Sequence, residues 1–134
     1  MVEGTSEKYT GRIRLGMVGG GQGAFIGAVH RLAARMDDHY EFVAGALSAD
    51  PKKAKASGEE LGLAADRIYS DFTAMAKAEA AREDGIEAVS IVTPNHVHVA
   101  AAKAFIAVVS QSEGYSPCTR RISPKSPAAT MAFA

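Results

Sequence analysis

Four glycines stand within five positions at Gly19, Gly20, Gly21 and Gly23. Glycine tolerates positive φ and carries no Cβ, so such a chain turns sharply and brings backbone N–H groups within contact distance of a diphosphate. Two ligand registers fit. Gly19-x-Gly21-x-x-Ala24 is the G-x-G-x-x-G/A form of dinucleotide sites. Gly19-x-Gly21-x-Gly23 is also the spacing expected of an S-adenosylmethionine site. A glycine-rich loop with no ligand is the plainer alternative, so the flanking residues must choose.

A second chemical cluster is Thr93-Pro94-Asn95, followed by His96 and His98. His98 comes three residues after Asn95, one helical turn on, toward the crevice where an open parallel sheet binds its ligands. Asn95 can cap that helix, contact a cofactor, or do both. The chain has four histidines, His30, His39, His96 and His98. No Cys, Asp or Glu stands with them at a zinc-motif spacing, and one His-x-His pair falls short of three or four ligands, so no metal site is expected. His30 is expected on the first helix, against the sheet or the cofactor.

A third position is the end of the second strand, where dinucleotide sites usually set an Asp or Glu against the adenosine ribose. Here the tip is Ser48, with Asp50 two residues beyond and Lys52 and Lys53 just after. A neutral serine can hydrogen-bond the ribose without repelling a 2′-phosphate, so NADP fits as well as NAD. The two lysines read equally well as an ordinary solvated helix face.

These residues need elements to hold them. Ile13, Leu15, Met17 and Val18 form the short apolar run of a strand buried on both faces. After Ala24, the residues Phe25, Ile26, Val29, Leu32, Ala33 and Met36 recur at intervals of three and four, which puts one apolar stripe on a helix. The unpaired N–H groups at its start, and the positive end of its dipole, favour an anion there. Residues 41–47 (EFVAGAL) read as a second strand, completing strand, glycine turn, helix and strand.

Further on, Asp50-Pro51 starts a helix that should stop near Gly62. Residues 67–70 (RIYS) suit a brief third strand, and Asp71 caps a helix whose Phe72, Met75, Ala76 and Ala80 should face inward. Residues 87–92 (EAVSIV) are the next buried strand, and a helix over about 96–107 should pack Val97, Ala101, Ala104 and Phe105 on the sheet. Alternation of this kind predicts an α/β fold, a doubly wound parallel sheet of Rossmann type. From about Val108 the pattern fails, with three Ser-Pro steps and no period of two or 3.6, so an irregular tail is expected.

A chain of 134 residues is about one domain, small for a complete two-domain enzyme. Fifteen Lys plus Arg against fifteen Asp plus Glu leave no net charge to attract nucleic acid or an anionic membrane. No stretch approaches the ~18 apolar residues of a membrane span, and the opening residues carry no signal-peptide core, so a cytoplasmic chain is expected. One cysteine, Cys118, excludes an internal disulfide and a cysteine-based metal site.

Over residues 12–107 the chain resembles the amino-terminal half of the glucose-fructose oxidoreductase and inositol dehydrogenase family, Gfo/Idh/MocA. The resemblance rests on GMVGGGQGAFIGAVHR, on ADPKKA after the second strand, on the YSDF step into a helix, and on AVSIVTPNHVHVAAAKAFI. The last is the most specific, because Thr93, Pro94, Asn95 and His98 match the family's Thr-Pro-Asn-x-x-His signature. The first resembles a branch with an extended glycine turn, in which Gly27-x-x-His30 replaces the usual third glycine and its histidine.

The resemblance implies NAD or NADP on a Rossmann domain, and hydride exchange between the nicotinamide and a sugar or polyol. It implies that Gly19, Gly21 and the backbone of Gly23, Ala24, Phe25 and Ile26 hold the pyrophosphate. Ser48 would lie near the adenosine ribose with Lys53 close by, while Thr93, Pro94, Asn95 and His98 would line the nicotinamide side.

The family's Glu-Lys-Pro motif and its second domain, which supplies the catalytic His and Asp, do not follow here, so no catalytic residue is assigned. The expected organisation is a flexible lead-in over residues 1–11, an NAD(P)-binding domain over 12–107 and an irregular tail over 108–134. This is the pattern of an incomplete dehydrogenase, truncated or frame-shifted after about residue 107. A sugar or polyol substrate would then belong to a full-length relative. Exposed sheet edges and helix faces would favour self-association into a homo-oligomer. Rival readings are a non-catalytic nucleotide-binding module and an S-adenosylmethionine-dependent methyltransferase. The second lacks the acidic residue at the second strand's tip.

Overall fold

The computed structural model describes residues 11–110 and the segment Thr130–Phe133. The elements run β1 (Ile13–Gly19), α1 (Phe25–Met36), β2 (Tyr40–Ala46), α2 (Pro51–Glu60), a 3-10 turn (Ala65–Arg67), α3 (Phe72–Ala80), β3 (Ala88–Val92), α4 (Asn95–Ser110) and β4 (Thr130–Phe133). The strands form one parallel sheet in the order β2-β1-β3-β4. Chain order thus reverses at β1, which pairs with β2 on one side and β3 on the other. This is the switch point at which doubly wound sheets open a ligand crevice.

Both faces of the sheet carry apolar side chains, as parallel strands require. On one face Val18, Ala44, Val89 and Ile91 pack against Met75 of α3 and Ala101 and Phe105 of α4. On the other, Met17 and Val92 pack with Leu47 and Leu63. The helix boundaries follow local chemistry. Asp50 accepts from the Lys52 N–H and Pro51 opens α2, while Asp71 accepts from the Ala74 N–H to start α3.

Three expectations need correction. Ala80 is exposed, and it is Glu79 that turns inward from α3. Its carboxylate accepts from Arg67 Nε (3.2 Å) and Nη2 (2.5 Å), from the Tyr69 hydroxyl (2.9 Å) and from the Ile86 N–H (3.2 Å). A buried carboxylate with four donors and a guanidinium partner is fully satisfied. Residues 67–70 supply only a bridge between Ile68 and Gly45, because Ala65–Arg67 is taken up by the 3-10 turn.

Helix α4 continues to Ser110, and Thr130–Phe133 adds a strand parallel to β3, where the open edge offers unpaired backbone groups. Residues 1–10 of the lead-in, and residues 111–129 with Cys118, lie outside the described residues.

Helix α1 spans the expected residues but turns its apolar stripe the other way. Phe25 is 82% exposed, Leu32 57% and Met36 76%, while Gly27 is its buried residue. Gly27, His30 and Arg31 share the inner side, and Phe25, Val29, Leu32 and Met36 lie opposite. The inner side is small and polar because it meets the glycine turn and a hydroxyl of the sheet. His30 Nδ1 lies 2.8 Å from the Ser90 Oγ on β3. An open groove beside α1, lined by Leu15, His30, Ala88 and Ser90, leaves part of this face of the sheet uncovered.

Candidate functional site

The two motifs meet because of one backbone register. Gly19, the last residue of β1, pairs with Val92, the last residue of β3. The glycine turn that follows Gly19 and the Thr93-Pro94-Asn95 segment that follows Val92 therefore leave the sheet side by side. Thr93 Cγ2 packs so closely on Gly19 that a Cβ there would stand 3.0 Å away. The second-strand tip completes the edge, since the Gly21 N–H donates to the Leu47 carbonyl beside Ser48 (3.2 Å).

Backbone hydrogen bonds show which parts of the turn can meet an anion. Gly21 N–H is taken by Leu47, Gln22 N–H by the Ser57 Oγ (3.0 Å), and Ala24 N–H by the Gly21 carbonyl (3.0 Å). The N–H of Gly23 has no such acceptor among the described residues. Phe25 and Ile26 open α1, where no intrahelical acceptor exists and no side chain caps the end. Gly23 has φ +79, and a Cβ there would meet nothing within 4 Å, so the chain turns into open space in front of the helix. Three donors and a positive helix end thus share one approach.

At the second strand's tip, Ser48 Oγ accepts from the Asp50 N–H (3.2 Å), and the Asp50 carboxylate is turned to its capping role on Lys52 N–H. Ser48 keeps its hydroxyl proton for a further acceptor. Lys53 is exposed on α2 and makes no polar contact with Ser48 among the described residues.

On the β3 side, His98 Nε2 lies 2.5 Å from the Thr93 carbonyl, and the Val97 N–H donates to the Pro94 carbonyl (2.9 Å). These bonds close the turn between strand and helix. Asn95 is the first residue of α4, and both it and Pro94 are exposed at the edge. Thr93 Oγ1 is buried without a protein partner. A buried hydroxyl left unsatisfied next to Gly19 is the kind of group a ligand or bound water completes.

Sequence reasoning missed Arg31 and Ser57. Arg31 Nη1 donates to the Gly20 carbonyl (2.7 Å), and burial, then the neighbouring Arg35, lowers its guanidinium from the ordinary arginine value. Ser57 is buried on α2, against the turn. An available signal was spacing: Arg31 follows Gly27 by four, on the same side of α1. Among the described residues no group of three or more His, Cys, Asp or Glu is placed to hold a metal ion, and no helix is long and apolar enough to cross a membrane.

Residues 13–109 match the model of the Gfo/Idh/MocA oxidoreductase family, described as an oxidoreductase family with an NAD-binding Rossmann fold. The chain belongs to this family. Residues 13–109 are the family's NAD-binding domain, which favours a nicotinamide dinucleotide over S-adenosylmethionine as the ligand class. An uncharacterized oxidoreductase of Bacillus subtilis (strain 168), YfiI, is 42% identical over 93 residues, 69% of this chain and 24% of that protein. The crystal structure of an oxidoreductase from Sinorhizobium meliloti is 68% identical, with a TM-score of 0.69 over 73% of this chain and 27% of that one. An inositol dehydrogenase homolog from Azotobacter vinelandii, solved with NADH and myo-inositol, is 41% identical, with a TM-score of 0.72 over 75% of this chain and 26% of that one. The chain spans about a quarter of the length of these relatives.

Proposed function

We propose that residues 12–107 bind a nicotinamide dinucleotide across the carboxyl edge of the sheet, as the cofactor domain of a sugar or polyol dehydrogenase. The observation that carries this is the pairing of Gly19 with Val92, which sets the glycine turn and the Thr-Pro-Asn-x-x-His segment along one edge. The N–H groups of Gly23, Phe25 and Ile26 take the pyrophosphate, with Gly19, Gly21 and Ala24 shaping the turn. Ser48 donates to the adenosine ribose. Its lack of charge admits NADP as well as NAD, with Lys53 near the 2′ position. Thr93, Pro94, Asn95 and His98 line the nicotinamide side, where Thr93 Oγ1 gains the partner it lacks within the protein.

When bound, the dinucleotide supplies a hydride acceptor or donor at its nicotinamide ring. This chain's residues bind it, orient it and fill the edge around it. Proton transfer to or from a substrate hydroxyl needs a titratable group within hydrogen-bond reach of it. We place that group, with the sugar or polyol pocket, in the part of the relatives that the match does not cover. The Azotobacter relative, solved with NADH and myo-inositol, supports the substrate class. A cytoplasmic location, and a homo-oligomer formed through the exposed side of α1, complete the reading.

Calorimetric titration of the 134-residue chain with NAD+, NADP+ and S-adenosylmethionine tests it. Saturable binding of a nicotinamide dinucleotide, without binding of S-adenosylmethionine, is expected. A folded chain that ignores both dinucleotides would overturn the reading.

A further inference from the structure

The glycine turn is held by two side chains to which the site above assigns no role. Arg31 of α1 donates to the Gly20 carbonyl at 2.7 Å, and Ser57 of α2 accepts from the Gln22 N–H at 3.0 Å. The two contacts lie on either side of Gly21, whose own N–H is fixed to the Leu47 carbonyl. Three consecutive residues are thus anchored to α1, to Leu47 just past β2, and to α2. Gln22 adds an exposed tether, its Nε2 donating to Glu60 at 2.8 Å.

We propose that Arg31 and Ser57 are positioning residues of the dinucleotide site, holding the turn in its anion-binding shape before the ligand arrives. The inference rests on the cofactor reading above and assigns roles within that site. A run of glycines is the costliest backbone to order, because each has the most conformations to lose. Left loose, the turn would have to be ordered by the ligand, at the expense of affinity. The contacts occupy the Gly20 carbonyl and the Gln22 N–H and leave the N–H groups of Gly23, Phe25 and Ile26 for the phosphates. Arg31 also offsets the partial negative charge of the Gly20 carbonyl, which would otherwise repel a nearby anion.

The geometry makes the two residues specific for this task. The Ser57 side chain is buried and touches the turn closely: a Cβ on Gly21 would stand 2.9 Å from Ser57 Oγ. Arg31 reaches the Gly20 carbonyl from one helical turn beyond Gly27, the residue at which α1 lies against the turn.

The test uses the 134-residue chain and its variants R31M, R31K and S57A, titrated with NAD+, ADP and adenosine and followed by calorimetry and amide shifts. Thermal melts report folding. R31M and S57A are each expected to weaken NAD+ and ADP by about tenfold, the worth of one hydrogen bond to a group that must stay fixed. Adenosine, which has no phosphate, should bind as before, and R31K should recover part of the loss. A merely structural role would weaken all three ligands together. Equal binding by variants and wild type, or an equal loss for adenosine, would overturn the proposal. R31K and S57A, the milder changes, decide the point if R31M does not fold. A wild-type chain that binds neither NAD+ nor ADP would instead defeat the cofactor reading itself.

Discussion

Gly27 of α1 lies directly on Gly20 of the turn: a Cβ built on Gly27 would stand 2.4 Å from Gly20 Cα and 2.7 Å from the Gly20 carbonyl oxygen. Backbone meets backbone at this point, so no flexible side chain can give way. This contact sets how near the positive end of α1 comes to the strand end, and with it where an anion sits.

Gly27→Ala should therefore cost about 1–3 kcal/mol of stability, the usual range for forcing an extra methyl into a packed site. The same change should weaken dinucleotide binding, since the helix must retreat from the turn. Chemical denaturation and titration of the variant check both. Unaltered stability would mean that α1 does not approach as described.

Ser48→Asp tests nucleotide selection. A carboxylate at the strand tip meets a 2′-phosphate of nearly two negative charges, and each unit pair at 4 Å costs about 1 kcal/mol even in bulk water. NADP+ affinity should fall on the order of tenfold or more, while NAD+ keeps or improves its affinity. Competition titration of the two nucleotides reads the ratio directly. An unchanged ratio would remove Ser48 from the ribose site.

The Glu79 network predicts both a large mutational effect and a pH dependence. Glu79→Ala leaves Arg67 buried without its main partner and should destabilise by about 3–5 kcal/mol.

Burial, then the Glu79 carboxylate, pushes the Tyr69 hydroxyl up from its ordinary value to about 12. A folded value raised above the unfolded one means that this contribution is complete below about pH 10 and is lost as the pH rises through about 12. Tyr69→Phe should flatten that part of the stability profile, measured by denaturation between pH 9 and 12. A slope shared equally by wild type and variant would count against the Tyr69–Glu79 bond.

The outward stripe of α1 predicts concentration-dependent self-association, since Phe25, Leu32 and Met36 are well exposed on one side. Replacing Leu32 and Met36 by Glu should shift sedimentation toward the monomer and leave NAD+ affinity unchanged. A wild-type chain that stays monomeric at high concentration would contradict this.

What the sequence made legible was local. Strand β1, the glycine turn, α1 and β2 follow from apolar runs, glycine chemistry and helical spacing, and Asp50-Pro51 and Asp71 mark helix starts that the structure places at α2 and α3. The orientation of α1 was not legible, because period counting finds the apolar stripe but cannot see that Gly27 must touch Gly20. Arg31 and Ser57 escaped for a related reason: their partners are backbone atoms of the turn, brought to them only by tertiary packing. Glu79 gives no local signal of burial, because its partners Arg67 and Tyr69 stand ten or more positions earlier in the chain. Thr130–Phe133 is strand-like only in the presence of β3, a partner far away in sequence.

The most direct test of the central claim is a 15N-labelled titration of the chain with NAD+, followed by backbone amide shifts. One site built from two motifs predicts that Gly23, Phe25 and Ile26 move together with Thr93, Asn95 and His98, along a single binding curve. Shifts confined to one of the two segments, or absent from both in a folded chain, would contradict it.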